Sequence, residues 1–208
     1  KHFMLKEIHE QPSVVRTCLE TSLVDGWTPE SDQSPINLGL DTSLLANLEH
    51  VQILACGTSW HASLVGKHLL QQLADIPTVV HYASEFRYSA TPLMANTLPI
   101  GVTQSGETHA GSEVGVAATK TFVAQLMAFY FLALELAYQR QTLSGQQLAE
   151  IIENMRQLPT QMEHVIAQQE SYTEELAHSF TDPQDFIFIG RGVNYPIALE
   201  GALKLKEI

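Results

Sequence analysis

Hydroxyl side chains are concentrated in one short stretch of the chain, Thr103-Gln-Ser-Gly-Glu-Thr108. The apolar run at residues 98–102 comes directly before it and is typical of a buried strand. A turn that follows a parallel strand exposes backbone N–H groups, and hydroxyls beside them add donors, so this stretch is suited to bind an anion. The same residue types also cap ordinary helices. The stretch alone leaves both interpretations open.

A second group of chemically capable side chains lies near the end of the sequence. Glu200, Lys204 and Glu207 have the i, i+4, i+7 spacing that places residues on one face of a helix. Most of their neighbours in this segment are apolar. Taken by itself, the spacing favours a solvent-exposed Glu200–Lys204 ion pair worth about 0.2–0.5 kcal/mol.

The strands and helices that position these residues follow a pattern that predicts an α/β fold. Short apolar strands at residues 51–55, 78–82 and 98–102 alternate with helical patterns, which indicates a parallel sheet covered on both faces, a three-layer α/β/α arrangement. Ligands bind such sheets at the carboxyl ends of the strands. The first strand ends in Cys56-Gly-Thr-Ser59, a second turn rich in hydroxyls. We therefore expect this turn and the one at 103–108 to meet in one crevice.

The rest of the chain is predicted to be mainly helical. We expect helices at residues 4–20, 42–48, 60–73, 116–139, 144–157, 160–179 and 195–208, a loop at 24–42, and a strand at 185–189. Pro12 starts a second turn or helix in the first of these, and Pro159 separates the two at 144–157 and 160–179. The predicted divisions are a helical lead-in and linker (1–48), a first subdomain (49–141), and linking helices with the start of a second subdomain (142–208).

Composition limits the classes of partner. The net charge of −12 argues against nucleic acid, whose phosphates are met by clustered Lys and Arg, although a small phosphorylated ligand fits. The apolar run 126–136 is interrupted by Glu135 and is too short for a bilayer, so no membrane partner is expected. Cys18 and Cys56 cannot form a disulfide framework, which favours the cytoplasm, and Cys56 is predicted to be a small packed side chain. The histidines lack metal-ligand spacing, so we assign no metal.

Five short motifs occur in one order between residues 55 and 208, and the resemblance that they carry covers nearly the whole chain. They are Ala55-Cys-Gly-Thr-Ser59, Ala83-Ser-Glu-Phe-Arg87, Gln104-Ser-Gly-Glu-Thr108, Val116-Ala-Ala-Thr-Lys120 and Tyr195-Pro-Ile-Ala-Leu-Glu-Gly-Ala-Leu-Lys-Leu-Lys-Glu-Ile208. Together they resemble the isomerase part of the glutamine–fructose-6-phosphate aminotransferases, which is built from sugar isomerase (SIS) domains. The resemblance implies conversion of fructose 6-phosphate to glucosamine 6-phosphate for amino-sugar synthesis. It also implies two SIS subdomains, a homodimer, and ammonia supplied by a separate glutaminase domain; no cofactor is implied.

The resemblance also assigns roles to residues. Phosphate binding is implied for Ser59, Thr103, Gln104, Ser105 and Thr108, a sugar contact for Thr58, and a backbone border of the site for Val116. Glu207 matches the family's catalytic glutamate, which moves a proton between C1 and C2 of the sugar, and a buried carboxylate suits this because burial raises its pKa toward neutral pH. Lys204 is implied to act beside it as an electrostatic partner at the substrate oxygens.

The sequence departs from the family pattern at its ends and at one internal junction. Lys1 is not the cysteine nucleophile of a glutaminase, so we expect no glutamine hydrolysis by this chain. The family's ring-opening histidine and Schiff-base lysine would follow Ile208. At Thr108–His109 a helix and a strand are lacking, so we expect a missing segment there. The alternatives are a non-catalytic SIS domain that binds a sugar phosphate and regulates another protein, and a phosphosugar isomerase that acts without ammonia.

Overall fold

The computed structural model describes residues 3–40, 42–45, 47–89, 94–103, 117–180 and 185–208. Ten elements lie within these ranges. The helices are α1 (Phe3–Ser22), α2 (Thr42–Leu45), α3 (Gly57–Leu73), α4 (Ala83–Phe86), α5 (Lys120–Arg140), α6 (Gly145–Ser179) and α7 (Asn194–Glu207). The strands are β1 (His50–Ala55), β2 (Thr78–Tyr82) and β3 (Thr97–Gly101).

The three strands form a parallel sheet in the order β2-β1-β3. Ile53 of the central strand lies opposite Val80 on one side and Ile100 on the other. The predicted parallel α/β sheet is therefore confirmed for all three strands. Since β1 and β3 are neighbours, the segments that leave their carboxyl ends start side by side.

Helix α3 lies against one face of the sheet, and α5 packs against α3. Their shared core contains Val51 and Ile53 of β1, Leu70 of α3, and Phe129 of α5. The crossing of the two helices is close, because a Cβ built on Gly66 would lie 2.5 Å from ring atoms of Phe129. The opposite face of the sheet carries the side chains that alternate with these; its Val79 is 47% exposed.

Helix α5 is the central helix of the described structure. It is 21 residues long, with a mean hydropathy of 1.5 over its most apolar window, so by length and composition it could cross a membrane. However, 67% of that window is buried inside the protein. That burial is typical of the core helix of a soluble protein. One side faces α3, and the other contributes Met127, Phe131 and Leu134 to a second core with α1 and α6.

Both helices that contain an internal proline are continuous. The helix predicted over residues 4–20 is confirmed, with no new helix starting at Pro12, whereas the prediction of two helices around Pro159 is wrong. Helix α1 runs through Pro12, and α6 runs through Pro159 where two separate helices were expected. Proline removes one backbone donor and crowds the preceding turn. Here both prolines are buried, and α1 and α6 pack side by side in the second core. Apolar residues of α6 on both sides of Pro159, among them Met155 and Met162, belong to this core and hold the two halves of α6 in line.

The predicted strand at 185–189 is wrong. These residues have no regular structure, and Ile187 and Ile189 are each 89% exposed. A strand needs a neighbour for its backbone hydrogen bonds, and no described strand lies beside this segment. The helix after it was predicted correctly. At the start of α6, Ser144 and Gln147 form a capping box.

Candidate functional site

The first turn of α3 lies directly after the carboxyl end of β1. Its predicted start was residue 60, but the helix begins at Gly57, whose φ of +56° favours glycine. Thr58 and Ser59 are consequently helical, and only 4% and 2% of their surfaces are exposed. Cys56 precedes the turn and is exposed, so the prediction of a packed cysteine is wrong. The turn offers backbone N–H groups and two oriented hydroxyls at one place.

Helix α7 brings its charged face onto this turn. The Thr58 hydroxyl donates a hydrogen bond to Glu200 Oε1 at 3.0 Å, and Lys204 Nζ donates one to Thr58 Oγ1 at 3.0 Å. Glu200 is buried, with 6% of its surface exposed. The exposed Glu200–Lys204 pair that spacing alone favours is therefore wrong, and the two residues belong to the interface between α3 and α7.

Lys204 lies between two carboxylates on its own helix. Its Nζ is 3.1 Å from Glu200 Oε1 and 3.0 Å from Glu207 Oε2. Side-chain exposure rises from 7% at Glu200 to 16% at Lys204 and 30% at Glu207. The predicted single face is confirmed, and exposure increases along it: Glu200 is buried, Lys204 is mostly covered, and a ligand can reach the carboxylate of Glu207.

His61 completes this group and was missed by sequence reasoning, which considered it only as a metal ligand. Its Nδ1 lies 2.6 Å from Glu200 Oε2, and 8% of the residue is exposed. A carboxylate accepts hydrogen bonds, so the Nδ1–H tautomer donates here. The available signal was position, because His61 follows Thr58 by three residues and shares its face of α3.

The pKa of Glu200 lies below the ordinary value for a glutamate. Burial raises this pKa, but hydrogen bonds from His61 and Lys204, the charge of Lys204, and the bond from Thr58 together lower it further than burial raises it. Glu200 is therefore a carboxylate at neutral pH. Its charge holds the Lys204 ammonium beside the first turn of α3.

Gln125 of α5 connects the turn of α3 to the end of β3. Its Nε2 donates to Ser59 Oγ at 2.9 Å and contacts the Thr103 carbonyl oxygen at 3.5 Å. The structure thus brings Thr58, Ser59 and Thr103 into one place, as predicted. Gln125 itself was missed, since one glutamine in a long apolar helix carries no motif.

Four predicted residues, Gln104, Ser105, Thr108 and Val116, lie outside the described residues, and their roles stay predictions. Within the described ranges, no three His, Cys, Asp or Glu side chains are grouped to hold a metal ion.

A cavity of about 840 Å³ lies between residues 24–40 and α5. None of the predicted site residues lines it, so it is separate from the site between α3 and α7.

Comparisons with known proteins give the family. A model of the SIS domain matches residues 44–110. The glutamine–fructose-6-phosphate aminotransferase [isomerizing] of Synechocystis sp. is 54% identical over 256 residues, covering 100% of this chain and 41% of the relative. The enzyme of the same name from Methanosarcina acetivorans is 39% identical, with 100% of this chain and 39% of the relative covered. The chain thus spans about 40% of the length of these relatives.

The aligned stretch of the Synechocystis relative, 256 residues, is longer than this chain of 208, so the relative carries residues without a counterpart here. Among solved structures, the C-terminal domain of glucosamine-fructose-6-phosphate aminotransferase from Francisella tularensis matches with a TM-score of 0.91 and 32% identity, covering 100% of this chain and 67% of that one. The chain belongs to the glutamine–fructose-6-phosphate aminotransferase [isomerizing] family and lies in its isomerase (SIS-domain) part.

Proposed function

We propose that this chain is the sugar-phosphate module of such an enzyme, converting fructose 6-phosphate to glucosamine 6-phosphate with ammonia from a separate glutaminase domain. The observation that carries the proposal is the position of Lys204 between Glu200 and Glu207, beside the hydroxyls of the α3 turn. A domain that only binds a phosphate needs the turn. It does not need a carboxylate and an ammonium placed next to it.

The phosphate of the substrate would be held at the carboxyl ends of β1 and β3. Ser59 and the first backbone amides of α3 supply donors there, and Thr103 lies across the site. Gln104, Ser105 and Thr108 would add donors, with the backbone of Val116 at the border and Thr58 at the sugar. The net charge of −12 gives no general attraction for anions, so these local donors must supply the affinity.

Glu207 is the proposed base, because it is the more exposed of the two carboxylates beside Lys204 and a ligand can reach it. The burial expected of the base is not observed at Glu207, which is exposed. It takes a proton from one of the two carbons C1 and C2 and returns it to the other, so no net proton is gained or lost. Negative charge develops on a substrate oxygen during this transfer. Lys204, fixed by Glu200, is placed to stabilise that charge without first having to reorient.

The assembly and the compartment are also proposals. A homodimer and an attached glutaminase domain are supported by membership of the family. Cytoplasmic localisation is supported by the two cysteines, Cys18 and Cys56, which are both free thiols in the structure. No cofactor is needed for the proton transfer, since the groups on α7 supply both the base and the compensating charge.

The test is exchange of the C1 protons of fructose 6-phosphate in D2O, followed by NMR, with product analysis in the presence of ammonia or glutamine. The Glu207→Gln variant should bind the sugar phosphate as the unchanged chain does but lose exchange. Glu174→Gln, an exposed glutamate on α6, is the matched control.

Each other result assigns a different function. Binding without exchange by the unchanged chain would support the regulatory alternative. Glucose 6-phosphate as the product even with ammonia present would support an isomerase that acts without ammonia. Exchange that continues at full rate in Glu207→Gln would refute Glu207 as the base.

A further inference from the structure

The amide of Gln125 has a fixed orientation. One terminal atom of this side chain faces both Ser59 Oγ, at 2.9 Å, and the carbonyl oxygen of Thr103, at 3.5 Å. A carbonyl oxygen can only accept, so the atom that faces it must be the NH2 nitrogen and not the amide oxygen. Gln125 is buried, with 7% of its surface exposed, and this contact therefore sets which end of the amide meets Ser59.

This orientation determines the role of the Ser59 hydroxyl. An NH2 group only donates, so Ser59 Oγ accepts from Gln125 and its own proton must point elsewhere. Among the described residues, Ser59 Oγ accepts from Gln125 and donates no hydrogen bond of its own. The backbone of Ser59 is held as well, since its carbonyl oxygen accepts from Ser63 Oγ at 2.7 Å. Ser59 is consequently a preoriented hydrogen-bond donor at the end of β1.

The arrangement leaves a buried polar atom unpaired. Gln125 Oε1 has no hydrogen-bond partner in the described structure. Buried acceptors in folded proteins are nearly always paired, so an exception calls for an explanation. Turning the amide over would expose its oxygen to the Thr103 carbonyl and would let Ser59 donate inward. In the observed orientation the Ser59 proton stays available to a ligand, while the amide oxygen of Gln125 has no hydrogen-bond partner in the described structure.

We propose that Gln125 is a positioning residue that commits the Ser59 hydroxyl to donate, and thereby selects a fully deprotonated oxyanion such as the phosphate of the sugar. The inference rests on the proposed function, since it concerns the phosphate end of that site. A phosphate dianion offers only acceptors, whereas a sugar hydroxyl offers both a donor and an acceptor. A Ser59 hydroxyl that can only donate to the ligand therefore favours the phosphate dianion.

The deciding variant is Gln125→Glu, which keeps the shape of the side chain but replaces the donor by an acceptor. At pH 8 the introduced carboxylate should draw the Ser59 proton inward and repel the ligand. We expect fructose 6-phosphate and inorganic phosphate to bind at least about tenfold more weakly than to the unchanged chain, the scale of one lost hydrogen bond to a charged group. The loss should shrink as pH falls toward 5, because protonation turns the carboxylate back into a donor.

Two further variants make the result specific. Gln125→Met removes the amide at similar volume and should weaken binding by a factor that does not depend on pH. Gln72→Glu introduces the same charge on the exposed end of α3 and should bind as the unchanged chain does. Affinities are compared as ratios to the unchanged chain at each pH, which cancels titration of the ligand and of the charged groups that the site shares: His61, Glu200, Lys204 and Glu207.

Isothermal titration calorimetry measures the affinities, and thermal unfolding confirms that each variant is folded. Unchanged binding by Gln125→Glu and Gln125→Met would overturn the inference and leave the proposed function standing. A loss in Gln125→Glu that is the same at every pH would show a merely structural role and would also overturn it. If Gln125→Glu does not fold, unchanged binding by Gln125→Met still overturns the inference, and weaker binding supports it. Failure of the unchanged chain to bind either ligand would refute the phosphate site itself, and the inference with it.

Discussion

The imidazole of His61 and the carboxylate of Glu200 meet at 2.6 Å across the interface between α3 and α7, and both residues are buried. Glu200 also accepts from Thr58 and pairs with Lys204. A buried carboxylate is tolerated when several donors satisfy its oxygens. These contacts fix α7 on α3, and they keep Lys204 at a defined distance from Glu207.

Replacing His61 should loosen this interface. The His61→Leu variant removes one donor to a buried carboxylate, and we expect the free energy of unfolding in urea to fall by about 1–3 kcal/mol. His61→Asn should recover most of that loss, because the asparagine Nδ2 can lie close to where His61 Nδ1 lies. Equal stabilities of the two variants would show that volume, and not the hydrogen bond to Glu200, accounts for the effect.

The lowered pKa of Glu200 predicts how stability depends on pH. Burial raises this pKa, but the hydrogen bonds from His61 and Lys204, the Lys204 charge and Thr58 bring it below the ordinary value of 4.5. The folded state then binds a proton less tightly than the unfolded state, so the charged carboxylate stabilises the fold above the ordinary carboxyl pKa. That contribution is lost as pH falls through the lower, folded-state pKa.

Urea unfolding of the unchanged chain and of Glu200→Gln at several pH values between 7 and 3 tests this. The difference in unfolding free energy between the two proteins should be largest near neutral pH and should decrease below the ordinary carboxyl pKa. Glu174→Gln, which alters an exposed carboxylate, is the control for general acid effects. A difference that stays constant over the whole range would contradict the assigned charge of Glu200.

The sheet could be predicted from the sequence because each strand is a short apolar run with its own turn signal. Residues 51–55 and 78–82 match the observed strands to within one residue. The shared face of Glu200, Lys204 and Glu207 could be predicted because helical spacing is a local property. Local patterns of this kind predict well which residues of one helix or strand share a face.

Contacts between elements could not be predicted in the same way. His61 and Gln125 act on residues far away in the chain, Glu200 and Ser59. Gln125 belongs to no local motif, and the local signal for His61 is its position one turn after Thr58. The continuous α6 shows the same limit, since the local effect of Pro159 is outweighed by packing against α1. In each of these cases, contacts between distant parts of the chain determine the structure, and the local sequence does not show them.

Lys204 should be needed for catalysis more than for binding. Lys204→Met removes the ammonium that lies 3.1 Å from Glu200 and 3.0 Å from Glu207. Under the proposed function, exchange of the C1 protons of fructose 6-phosphate should fall by about a hundredfold or more, the scale of one lost electrostatic contact in a transition state. The Kd of fructose 6-phosphate should change much less, because the phosphate donors lie on α3.

Lys206→Met is the matched control for this prediction, since it makes the same chemical change at an exposed position of the same helix. It should leave exchange and affinity unchanged. Equal losses in both lysine variants would indicate a general effect of charge on the acidic chain. A Lys204→Met variant with normal exchange but weak binding would place Lys204 at the phosphate instead.

The close crossing of α3 and α5 should be sensitive to a single methyl group. A Cβ on Gly66 would lie 2.5 Å from the ring of Phe129, too close for either helix to stay in place. Overpacking of this kind costs about 1–3 kcal/mol, against a gain of up to about 1 kcal/mol when alanine replaces glycine in a helix. We therefore expect Gly66→Ala to lower the free energy of unfolding on balance. Because Gln125 lies one turn before Phe129 on α5, affinity for fructose 6-phosphate should fall as well.

A double-mutant cycle isolates the cause. Phe129→Leu makes room at the crossing, so Gly66→Ala should be much less destabilising, or stabilising, in that background, and the two changes should be non-additive. Gly101→Ala, where a Cβ meets no atom within 4 Å, is the control for the substitution itself. Additive effects of Gly66→Ala and Phe129→Leu would show that other contacts determine how closely α3 and α5 cross. The placement of Gln125 beside Ser59 would then not depend on the small residue at position 66.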